Sequence, residues 1–313
     1  IRNLLGEGTL SASFIPAYAA LSEREDKSAA RALAGAVAGL LLLAAGVLAV
    51  VGIVLAPQLT HLLAPGLAPP PRAVAVTLMR LLFPMSGLMV CSAWCLGVLN
   101  THRRFFLPYA APALWNVAGI AALVLSATWL ISQNLPVDQQ LYRLALALAW
   151  GTVAGSVLQV AIQVPTCWRL LDGIALRLST APEGVAQVLI AWAPLVLGAG
   201  VAQLSSLVDT FLGSLAGTGG VSSLAYAQLI QVLPVSLFGT SVAAVSLPDL
   251  SRDAVTAMPN DQLRSRIATG FRRITFFVMP SSVAFAALGP VIVGALFQTG
   301  RFGDSDTLKV GGV

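Results

Sequence analysis

Charged side chains are scarce in this chain. Lys, Arg, Asp and Glu make up 10% of its 313 residues, against about 25% in a soluble domain. Histidine occurs twice and cysteine three times. Cys91 and Cys95 are four residues apart and share a helix face, with no histidine or carboxylate within a turn of either. Together with Cys167 they read as small packing residues of apolar helices rather than as redox or metal ligands. No Gly-rich phosphate loop precedes a helix, no metal-ligand spacing occurs, and His61 and His102 stand near the ends of apolar runs. The chain is therefore not read as an enzyme, and no catalytic residue, metal or cofactor is assigned. A net charge of +5 does not point to nucleic acid, because the cations sit at the ends of apolar runs and form no cluster beside a soluble domain. Nor does the chain carry the soluble domains that an ATP-driven pump needs.

What the chain does have is hydrophobic length: 57% of its residues are hydrophobic. The runs Ala32–Pro71, Leu81–His102, Phe105–Val137, Leu144–Trp168, Gly184–Val208, Thr210–Pro248 and Ile274–Gly300 contain no charge. About 20 apolar residues in a helix cross the ~30 Å hydrocarbon core of a bilayer. A helix also satisfies its own backbone polar groups in lipid, and none of the runs shows the alternation of a barrel strand. The fold class is an all-α polytopic membrane protein. One partial or re-entrant span is expected near 2–21. Complete spans are expected near 32–60, 74–99, 106–131, 142–167, 185–214, 221–247 and 270–297. The chain starts at Ile1, shows no signal peptide, and stops shortly after what reads as a new apolar segment; it reads as an internal segment of a longer protein.

The cations alternate between gaps. The first gap carries Arg24, Lys27 and Arg31, the third Arg103 and Arg104, and the fifth Arg169 and Arg177. The seventh carries Arg252, Arg264, Arg266, Arg272 and Arg273, whereas the even gaps, up to the sixth, carry only Arg72; the last segment carries Arg301 and Lys309. By the positive-inside rule the odd gaps face the cytoplasm. In the seventh gap, Gln262–Arg273 can form a helix along anionic headgroups, although plain topology signalling is the simpler reading.

Charges within spans are costly and usually face a cavity or a partner. Four are candidates: Arg2 and Glu7 in the opening segment, Arg80 in VTLMRLLFP, and Asp209 in SSLVDTFLGS. Snorkelling to water is a strong alternative for Arg80 and a weak one for the short side chain of Asp209. Asn116, Gln159, Gln163, Gln203, Gln228 and Gln231 also fall mid-span. They either line a hydrated path or hydrogen-bond between helices.

The segment GEGTLSASFIPAYA at Gly6–Ala19 resembles the MurJ or MviN lipid II flippase family, within the multidrug/oligosaccharidyl-lipid/polysaccharide exporter superfamily. Further matches follow in the same order: LAPGL at 63–67, LLFP at 81–84, LGVLNTHRRFFLPYAAPALWN at 96–116, LPDLS at 247–251 and LFQTGRF at 296–302. The resemblance implies a two-lobed transporter of the MurJ/MATE type with fourteen helices, of which this chain holds helices two to nine. First-lobe helices would occupy 1–178, and the second lobe would start within 179–313. It further implies movement of lipid II, or another polyprenyl-diphosphate-linked glycan, from the inner to the outer leaflet of the bacterial inner (plasma) membrane. Membrane lipids and cell-wall synthesis proteins are the implied partners. Arg2 matches a cavity arginine of the family, Glu7 a glutamate suited to orienting it, and Arg80 a basic position. One departure stands out: the family's second-lobe cavity arginine falls at Leu229. Two alternatives stay open. Asp209 suits a proton- or sodium-coupled drug or cation antiporter, and Leu229 suits a non-transporting cell-wall scaffold.

Overall fold

The computed structural model describes residues 7–24, 26–133, 135–217, 219–234, 236, 260–300 and 302–312. All regular structure among them is helical. The helices are α1 (Glu7–Glu23), α2 (Lys27–Val54), α3 (Ala56–Leu63), α4 (Pro69–Thr101), α5 (Phe106–Ile131), α6 (Val137–Leu170), α7 (Val185–Leu215), α8 (Gly220–Pro234), α9 (Asn260–Phe297) and α10 (Asp304–Gly311). Six helices among the described residues are long and apolar enough to cross a membrane: α2, α4, α5, α6, α7 and α9. The span expected at 221–247 begins as α8, and its second half lies outside the described residues. The outward faces carry exposed Val47, Val50 and Val54 on α2, and Ile120, Val124 and Leu125 on α5. Apolar surface of this extent needs lipid against it. The chain is a multi-pass membrane protein.

Several boundaries differ from expectation for physical reasons. The span expected at 32–60 starts at Lys27 and breaks at Leu55, where Pro57 in the first turn of α3 cannot continue the hydrogen-bond ladder. Asp26 caps α2: its carboxylate accepts from the Ala29 N–H and the Ser28 hydroxyl, each at 3.0 Å. The Ala29 N–H above all holds the Asp26 pKa below its ordinary value of 3.8. Gln262–Arg273 does not form a separate helix along the headgroups, because Asn260–Phe297 runs as one helix. Arg143 lies near the start of α6, just inside the span expected at 142–167. Its guanidinium reaches back to Gln133 at 3.5 Å and stands 5.9 Å from the Trp129 ring centre.

The chain forms two compact units, Ile1–Val208 and Asp209–Val313. In the first unit, α1 places Leu10, Phe14, Tyr18 and Leu21 at helical spacing, and all four are buried. They pack with Leu33 and Val37 of α2, Val90, Trp94 and Val98 of α4, and Cys167 of α6. The Trp94 Nε1–H donates to the Ala34 carbonyl at 3.0 Å, so α4 is tied as well as packed to α2. α5 and α6 form a close hairpin. A Cβ on Gly155 would stand 2.7 Å from the Trp115 Cα, and one on Gly151 would collide with Ala122. Small residues let these backbones approach, the usual means of helix association in lipid. In the second unit, Ile230, Val293 and Val310 form a small core, flanked by Tyr226 packed edge-on against Phe297 and Phe302.

Candidate functional site

The two longest motifs of the sequence meet in space. Phe14 and Tyr18, from Gly6–Ala19, stack with ring centres 5.2 Å apart. Phe14 lies over Gly97 of α4, where a Cβ would come within 2.8 Å of its ring. One turn further on, the Tyr18 hydroxyl and His102 Nε2 are 3.0 Å apart. Gly97 and His102 both belong to the 96–116 motif, so glycine, stacked rings and one polar contact join the motifs along an α1–α4 seam. Burial holds the His102 pKa below its ordinary 6.5, which favours the neutral ring with a nitrogen free to accept from tyrosine.

Arg2 lies outside the described residues. Glu7 opens α1, but its side chain is likewise outside the described residues. Arg80 is exposed, and its Nε–H donates to the Ile53 carbonyl at 3.3 Å. Ile53 is in the last turn of α2, where carbonyls lack helical partners. The described contact of Arg80 is thus a helix-end contact. Asp209 is half-buried and accepts from the Gln228 side-chain amide at 3.1 Å. Leu229, beside that glutamine, is exposed. Arg80 is in the first unit and Asp209 in the second.

The mid-span glutamines of α6 are linking groups. Gln159 donates to the Ser92 hydroxyl at 2.8 Å, and Ser92 donates to Gln163 at 3.1 Å. Both glutamines are fully buried between α4 and α6. Their one-turn spacing was visible in sequence, but Ser92 lies about seventy residues away and carries no signal of its own. Gln231 lines a cavity of about 320 Å³ in the second unit. Among the described residues, no three of His, Cys, Asp and Glu gather as a metal site.

A further feature had no sequence reading. α6 ends with Asp172 and Gly173 both at positive φ, and the Gly173 N–H donates to the Trp168 carbonyl at 2.8 Å. From there the chain crosses α2 as an extended strap at Gly35 and Gly39. The Arg177 N–H donates to the Gly35 carbonyl at 3.1 Å. The carbonyls of Ala175 and Arg177 occupy the space that a Cβ on Gly35 or Gly39 would need. The four-residue glycine spacing was the available signal, and it serves a strap rather than a second helix.

Comparison with known proteins places these features in context. A family model described as "Lipid II flippase MurJ" matches residues 1–313. A Burkholderia cenocepacia protein named "Lipid II flippase MurJ" is 33% identical over 99% of this chain and 59% of its own length. A Rhizobium meliloti protein named "Probable lipid II flippase MurJ" is 29% identical over 99% of this chain and 57% of its own. The chain thus spans somewhat under two thirds of the length of these relatives. A solved structure titled "Lipid II flippase MurJ, inward closed conformation" superposes with a TM-score of 0.75 at 22% identity, covering 99% of this chain and 61% of the other. That likeness shows the fold.

Proposed function

We propose, since this chain belongs to the lipid II flippase MurJ family, that it supplies the helices two to nine of a transporter for lipid II. In this reading the transporter moves undecaprenyl-diphosphate-linked peptidoglycan precursor, or a related polyprenyl-diphosphate-linked glycan, from the inner to the outer leaflet of the bacterial inner membrane. The observation that carries the reading is the α1–α4 seam, where the two most specific motifs pack on one another through Phe14, Gly97, Tyr18 and His102. In this reading the first lobe occupies 1–178 and the second begins at 179; the non-helical stretch between α6 and α7 favours that boundary, whereas the packing of Val185 and Val188 into the first-unit core favours one after Val208.

The polar headgroup needs shielding from hydrocarbon, while the polyprenyl tail stays in lipid. Arg2 is the proposed headgroup contact, because a guanidinium binds diphosphate oxygens in bidentate fashion. Glu7 would orient that arginine rather than touch the anion. Alternating access follows from rocking of the two lobes. A cationic cavity also responds to the membrane potential, since one charge is worth ~2.3 kcal/mol per 100 mV. Flipping in proteoliposomes should therefore slow when the potential is collapsed, and an unchanged rate would remove the coupling.

The test uses the full-length gene in cells depleted of their own lipid II flippase. Wild type should restore growth, and a well-expressed Arg2→Ala should not. Rescue by both would keep flipping and discard Arg2. A correctly inserted wild type that fails to rescue would turn attention to Leu229 and the scaffold alternative. The antiporter alternative rests on Asp209, whose described partner is a neutral amide rather than a cation. It requires proton- or sodium-dependent efflux that Asp209→Asn abolishes.

A further inference from the structure

Three separate stretches of the first unit bring cations to one cavity of about 950 Å³. Lys27 and Arg31 enter from the first turns of α2, Arg169 from the last turn of α6, and Arg177 from the strap. Asp172 is the one carboxylate among the described lining residues. Arg80 is not among the described residues that line this space. Its volume is in the range of small-molecule sites.

Topology signalling alone does not account for the arrangement. That signal needs cations near helix ends; it does not need them to converge. Among the described residues, none of these cations is in an ion pair within 4.0 Å; the pair found there is Arg24–Glu183. Two of the four cavity cations lie against or on ordered backbone. The Arg31 guanidinium rests on Gly173, where a Cβ would stand 2.7 Å from it. Arg177 is carried by a backbone pinned to Gly35. The strap also has two faces: Ala175 and Arg177 line the cationic cavity, while Ile174 and Leu176 line an apolar cleft of about 240 Å³ with Trp94 and Trp168.

We propose that this cavity binds a phosphate-bearing anion through Lys27, Arg31, Arg169 and Arg177. Guanidinium groups match phosphate oxygens, and basic pockets between membrane helices take lipid headgroups. The apolar cleft across the strap favours a membrane lipid over a free phosphate as the source, since a headgroup brings acyl chains with it. Tyr18 and His102 of the α1–α4 seam also line the cavity, but the assay below reads binding alone, so its outcome is separate from that of the growth-rescue test.

The experiment uses purified full-length protein in neutral detergent. Two probes are measured by equilibrium binding: labelled inorganic pyrophosphate, and short-chain phosphatidylglycerol with phosphatidylcholine beside it. Two double variants are compared with wild type, Arg31→Gln with Arg177→Gln, and Lys27→Gln with Arg169→Gln. Arg143→Gln, at the other end of α6, is the control. Wild type should bind phosphatidylglycerol over phosphatidylcholine, and affinity should fall about tenfold in a double variant that keeps its melting temperature. Arg143→Gln should bind as wild type does. Pyrophosphate binding with the same dependence, without phosphatidylglycerol binding, would retain the site and assign it to a soluble anion. Absence of binding to both probes, or binding unchanged in both double variants, would overturn the proposal.

Discussion

Tyr18 is 2% exposed, yet its hydroxyl finds a partner in His102 at 3.0 Å. Tyr18→Phe should keep the ring stack on Phe14 and lose about 1 kcal/mol of stability, read as a lower melting temperature in detergent. The same contact has a pH dependence. Because the folded His102 pKa lies below the ordinary 6.5, its contribution is present above 6.5 and is lost as pH falls through the folded value. Acidification should therefore destabilise wild type more than His102→Gln, and equal slopes would exclude this histidine as the cause. Gly173 makes a second single-residue case, with φ of +104° and the Arg31 guanidinium against it. Gly173→Ala should cost about 1 kcal/mol or more. Individual side chains were only partly legible in sequence. The mid-span glutamines announced themselves, but choosing between a hydrated path and helix linkage required Ser92, whose proximity is tertiary. Arg80 read as a cavity candidate because sequence does not show that α2 ends beside it and leaves the Ile53 carbonyl unpaired.

The α5–α6 hairpin rests on glycines rather than on large side chains. Gly155→Leu should force the backbones apart and cost about 1–3 kcal/mol, measured as faster loss of the folded protein on heating. A matching substitution at Gly46, where an added Cβ would meet no atom within 4 Å, should be near neutral. Elements were the most legible level, because an apolar run without charge has few outcomes in lipid. Their ends were less so. α2 begins at Lys27, within a gap assigned to water, because Asp26 caps a helix that extends past the hydrocarbon. The break at Leu55 was hidden in an uninterrupted apolar run, and only Pro57 marked it. The strap over Gly35 and Gly39 was illegible for a different reason: its partners lie on elements far apart in the chain.

The alternation of cations predicts a single orientation for the whole chain. In a variant without native cysteines, an impermeant maleimide applied from outside should label Gln133→Cys and leave Arg103→Cys unlabelled. The reverse pattern would invert the topology. At this scale the membrane class, the order of the motifs and the family were all readable, since each is spread over many residues and survives local error. Leu229 shows where that redundancy ends: a single exposed position departs from the arginine that the resemblance implies, without disturbing the helix around it. The proposed role, part of a lipid II transporter, has a direct test. The most direct measurement is the leaflet distribution of lipid II in cells whose sole flippase is the full-length protein, read with a reagent that reaches the outer leaflet alone. Lipid II should stay accessible after the cells' own flippase is depleted. Lipid II that accumulates out of the reagent's reach, with the protein correctly inserted and abundant, would contradict it.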